Sequence, residues 1–110
     1  MIKVQIKRSR NGEIQSFSIN GHANADEYGK DIVCAAVSVL SQTTLLGLHD
    51  IAKIEIDFKV QDGNLECKLP VNLSNDKRQK ANLLLETMIM GIKNIYESYS
   101  EYIAIHDKEV

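Results

Sequence analysis

The chain has 110 residues, 44% apolar and 25% charged, with a formal net charge of −2. That length supports one core, and that apolar fraction excludes a disordered chain. The charge balance lacks the basic excess of a nucleic-acid module, so one domain over residues 1–110 with no direct nucleic-acid partner is expected.

Ile2, Val4 and Ile6 alternate with Lys3, Gln5 and Lys7, the period of a half-buried strand. This opening does not read as a signal peptide, and no apolar run approaches the roughly 20 residues of a bilayer span. A cytoplasmic protein without a membrane partner is therefore expected, with its cysteines, Cys34 and Cys67, reduced. Asn11-Gly12 marks a hairpin turn, because both residues tolerate positive φ. Residues 14–19 form the returning strand, with Ile14 out of phase with Phe17 and Ile19, which points to a bulge or a wider turn.

Residues 21–30 read as a polar loop bracketed by Gly21 and Gly29. Asp31 then opens a helix that runs to Leu48, with Gly47 as a C-terminal signal. Its apolar residues surround nearly the whole cylinder, which predicts a buried helix. Ile54, Ile56, Phe58 and Val60 alternate with charged residues as a second amphipathic strand. Asp62-Gly63 is a further hairpin turn, and Leu65, Cys67 and Leu69 alternate up to Pro70. Ser74 or Asn75 caps a helix over residues 76–98, and residues 102–106 form a last strand. The order ββαββαβ gives an α+β fold: a mainly antiparallel sheet of about five strands, two helices on one face and charge on the other.

Metal and phosphate chemistry find no support. His22, His49, His106 and the cysteines show no CxxC, HxxxH or HExxH spacing, and no glycine-rich phosphate loop occurs. No metal or cofactor is expected. Cys67 shares the alternation of a strand and reads as a small core residue.

Cys34 falls in the first turn of the predicted helix, where unpaired amides and the helix dipole favour a thiolate. His22 lies 12 positions earlier (34 minus 22), across a loop long enough to fold back onto it. A cysteine at a helix start and a histidine as base suit nucleophilic catalysis, with the amides of that turn, Cys34's included, as oxyanion donors. A packed cysteine and a solvated histidine fit the same spacing, as in a non-enzymatic regulatory or ribosome-associated domain.

Asp31 reads as the helix cap or as an orienter of His22, since a carboxylate aimed at sulfur would oppose ionisation. Ser38 lies on the cysteine's side of the helix, either beside the substrate or bonded back to the backbone. Ser41 reads more simply as the latter. Gly21 and Gly29 are candidate hinges of the substrate loop.

The string GHA, followed by YGKDIVCAAVS, resembles the ribosomal-processing cysteine protease family, Prp. The resemblance spans essentially the whole chain in length and element order. It implies a homodimeric bacterial enzyme that removes the N-terminal extension of a large-subunit ribosomal protein. On this resemblance His22 matches the family's histidine and Cys34 its nucleophile, while Asp31 and Ser38 match motif positions.

Overall fold

The structure is a computed structural model and describes residues 1–23 and 31–109. The elements are β1 (Ile2–Arg8), β2 (Ile14–Asn20), α1 (Ile32–Leu46), β3 (Asp57–Gln61), β4 (Asn64–Lys68), α2 (Asn75–Tyr99) and β5 (Ile103–Glu109). The strands form a five-stranded sheet in the order β3-β4-β2-β1-β5. Pairing is antiparallel except between β1 and β5, which run parallel. The ββαββαβ order and the mainly antiparallel sheet expected from the sequence are both present.

The strand period explains the core. Ile2, Val4 and Ile6 are buried while Lys3, Gln5 and Lys7 are exposed, each large aliphatic side chain contributing roughly 2 kcal/mol by leaving water. Ile14 also reaches the core, because Gln15 is an extra residue between the pairs Lys7–Ser16 and Arg8–Ile14. This is the bulge that the phase shift predicted.

Helix α1 brings Val33, Val37 and Leu45 to the core, and α2 brings Leu85, Met88 and Ile92. Ser74 caps α2, its hydroxyl accepting from the Lys77 amide.

Three expectations are corrected. Gly47 does not end the first helix: its φ is −62°, and the chain continues as a π-helical segment over Gly47–Ile51. The combined Ile32–Ile51 helix has 20 residues and contains a stretch with a mean hydropathy of 1.6, enough by length and composition for a membrane span. Val33, Val37, Leu45 and Leu48 nevertheless belong to the protein core. Nor is this helix buried all round, since Ile32, Val39 and Leu46 form an exposed stripe at a spacing of seven.

The third strand begins at Asp57, not Ile54. Lys53 adopts a φ of +57°, and the Ile54 amide donates to the Leu48 carbonyl, which holds this stretch off the sheet ladder. Ile54 still reaches the core, whereas Phe58 and Val60 are exposed on the edge strand.

Arg8 ties the far end of the sheet to α2. Its guanidinium donates to both carboxylate oxygens of Asp107 (2.7 and 3.0 Å) and of Glu86 (2.7 and 3.0 Å). Hydrogen bonds from Arg8 hold both carboxyls below their ordinary range. Their stabilisation is complete above the unfolded carboxylate pKa and is lost as pH falls through the lowered values. Arg8→Gln is expected to cost about 1 kcal/mol at neutral pH, discounted for the exposure of Glu86, or roughly 4–6 °C in Tm. Thermal unfolding at stepped pH should show that deficit shrinking in acid; a pH-independent deficit would mean that the charges are not its cause.

Candidate active site

The end of β2, the start of α1 and the β3–β4 turn enclose an open cleft of about 630 Å³. Asp31, Cys34 and Ser38 line it from α1, and Gly21 and His22 from the chain leaving β2. Ile19, Val60 and Leu65 supply an apolar floor from the sheet, and Asp62 and Gly63 stand at the turn. His22, Asp31, Cys34 and Ser38 are thus brought to one cleft. Gly29 and most of the loop over residues 21–30 lie outside the described residues.

Gly21 is fixed by close approach. Its φ is +92°, and a Cβ there would lie 2.4 Å from the Met1 carbonyl oxygen. Its amide donates to the Gly63 carbonyl at 2.9 Å, which fastens the exit of β2 to the neighbouring hairpin. His22 follows directly, with a half-exposed side chain whose Nε2 lies 3.8 Å from Asp62 Oδ1.

Asp31 caps α1. Its Oδ1 accepts from the amides of Val33 at 3.0 Å and Cys34 at 3.1 Å, while its carbonyl accepts from Ala35 at 3.1 Å. The carboxylate is therefore directed at helix amides. This corrects one expectation, because the Cys34 amide is engaged by the cap and is not open to an oxyanion in this state.

Cys34 is partly exposed. Its sulfur accepts from the Ala23 amide at 3.1 Å, and Ala23 is buried. An N–H directed at sulfur favours thiolate over thiol, as does a place in the first turn of a helix. Cys67 has the opposite setting: burial, then the charge of Asp57, pushes its thiol up to about 12.

Ser38 Oγ accepts from Gln42 Nε2 at 2.7 Å. Buried Ser41 bonds back to the Val37 carbonyl at 2.8 Å, which accounts for a hydroxyl inside the helix. His49 pairs with Asp50 in the π segment, and His106 is exposed on β5, both away from the cleft. Among the described residues no three His, Cys, Asp or Glu side chains converge to hold a metal ion.

Three participants escaped the sequence reading. Ala23 contributes only a backbone amide, for which no side-chain signal exists. Asp62 and Gly63 read as an ordinary turn, and only the folded chain brings them to His22. Asn64, beside them, has a buried Oδ1 without a hydrogen-bond partner among the described residues, leaving an acceptor on the cleft wall.

A sulfur at a helix start and an imidazole sharing an open cleft are the equipment of a cysteine peptidase. The comparisons agree. The model of the family described as cysteine protease Prp matches residues 1–104, and the chain belongs to this family. A ribosomal processing cysteine protease Prp from Bacillus subtilis (strain 168) is 34% identical over 96% of each chain. One from Staphylococcus aureus (strain Mu50) is 32% identical, over 98% of this chain and 100% of its own.

Two solved structures of the S. aureus protease are also similar. The complex with a covalently linked product peptide superposes with a TM-score of 0.88, at 28% identity over 98% of this chain and 100% of the other. The complex with a substrate peptide gives 0.82, at 27% identity and the same coverage. The chain is accordingly an enzyme, a cysteine peptidase, and its substrates are peptides.

Proposed function

We propose that residues 1–110 form a single-domain endopeptidase of the bacterial cytoplasm that removes the N-terminal extension of a large-subunit ribosomal protein. Cys34 is its nucleophile and His22 its acid and base. The observation that carries this reading is the Cys34 sulfur in the first turn of α1, held by the Ala23 amide, in the cleft that His22 lines. The names of the similar proteins support the choice of substrate.

The Cys34 thiolate attacks the scissile carbonyl carbon, forming a C–S bond and an oxyanion. An oxyanion beside the sulfur can recruit the Cys34 amide only by displacing Asp31 from it. The intermediate collapses, the C–N bond breaks, and the His22 imidazolium gives its proton to the leaving amine. His22 then takes a proton from water, hydroxide attacks the thioester, and the thiolate departs. Asp31 holds the helix start in place, and Ser38 presents its hydroxyl to the bound peptide.

The test is incubation of the enzyme with tagged ribosomal proteins, followed by mass spectrometry. A single large-subunit protein with a shortened N-terminus is the expected product. An unaltered panel would refute the substrate assignment.

The protein acts as a homodimer. Ile32, Val39 and Leu46 on α1, with Leu83 and Met90 on α2, leave apolar side chains exposed at a spacing of seven on each helix. Val39→Lys should convert a dimer to a monomer in sedimentation; a wild-type monomer would end this part of the proposal.

A further inference from the structure

We propose that the β3–β4 turn is a positioning element for His22, with Asp62 orienting the imidazole and Gly63 leaving the space that the ring occupies. This rests on the reading of His22 as the acid and base.

Three observations converge on the turn. Asp62 Oδ1 lies 3.8 Å from His22 Nε2. A Cβ on Gly63 would come within 2.9 Å of the same nitrogen. The Gly63 carbonyl also accepts from the Gly21 amide at 2.9 Å, so the turn grips the backbone next to the histidine as well as its ring. One hairpin tip therefore meets Gly21 through its main chain and the His22 ring through its missing side chain and its carboxylate.

A carboxylate at the rim of the ring favours one orientation of the imidazole, and orientation decides whether the ring can reach the leaving amine. Among the described residues, the other titratable groups lining the cleft are Asp31 and Cys34. The Asp31 carboxylate is directed at the amides of α1, and Cys34 is the sulfur that His22 serves. Asp62 reaches the ring from the opposite wall of the cleft, at 3.8 Å. Its side chain is 75% exposed and that of His22 42% exposed, so solvent and salt screen the pair.

The test follows the imidazole itself. In NMR spectra of the full-length protein at fixed pH, Asp62→Asn should displace the His22 ring signals and lower the peptide cleavage rate a few-fold. Asp62→Glu should keep most of the wild-type ring signals and rate. The signals of His49 and His106 should not move. Identical His22 ring signals in wild type and Asp62→Asn would overturn the assignment.

Gly63→Asn, which tolerates positive φ but adds a Cβ, should displace the His22 ring signals and lower the peptide cleavage rate about tenfold. Gly12→Asn, at a turn with nothing within 4 Å of the added Cβ, should do neither. Equal behaviour of these two variants would remove the steric half of the proposal. The ring signals do not depend on turnover. If Cys34→Ala or His22→Ala still cleaved peptide, the catalytic reading would fail while the Asp62 result stood by itself.

Discussion

Cys34→Ala is expected to lower cleavage of the extension by about 10⁴-fold or more, the size of effect seen when the nucleophile of a covalent mechanism is removed. No other described thiol lines the cleft: Cys67 is buried, and burial pushes its thiol up to about 12. The fold should survive, since Cys34 is partly exposed. The cost falls on the buried amide of Ala23, which loses its acceptor, at about 1 kcal/mol. Cys34→Ser returns an acceptor to that amide and separates the two effects. It should recover the stability and none of the cleavage. Mass spectrometry of the ribosomal protein gives the activity, and thermal unfolding the stability. Appreciable cleavage by folded Cys34→Ala would refute the assigned nucleophile.

His22→Ala should lower kcat/KM by roughly 10³-fold, within the range for losing a positioned acid and base. The second readout is thiol alkylation, which needs no substrate. With His22 present, the imidazolium helps to hold the thiolate, so iodoacetamide should modify Cys34 well below the ordinary thiol pKa of about 8.5. In His22→Ala that rate profile should move to higher pH. It should not return fully, because the Ala23 amide and the start of α1 still face the sulfur. Cys67 should remain unmodified throughout, which makes the native protein its own control. An alkylation profile unchanged by the substitution would separate the histidine from the sulfur and end the assignment of a pair.

The parts of this molecule that were legible in its sequence are those with short-range causes. The alternation of β1, the Asn11-Gly12 turn and the apolar spacing of α2 each arise within a few residues, and each appears in the structure. The bulge opposite Lys7 and Arg8 was legible for the same reason, as a phase error at Ile14. The parallel pairing of β5 with β1 was not, because no local pattern records which distant strand is a neighbour. The π segment after Leu46 and the late start of β3 were hidden behind residues whose usual meanings are otherwise, Gly47 as a helix stop and Ile54 as a strand position. The candidate site divides in the same way. His22 and Cys34 could be singled out by residue type and spacing. Asp62, Gly63 and the Ala23 amide acquire meaning only from tertiary contact.

The hydrogen bond from Gly21 to Gly63 joins positions 42 residues apart (63 minus 21). The anchor on the Gly21 side of His22 therefore forms once β4 has docked on β2. A nascent chain still leaving the ribosome holds both reactive groups before it holds them in register.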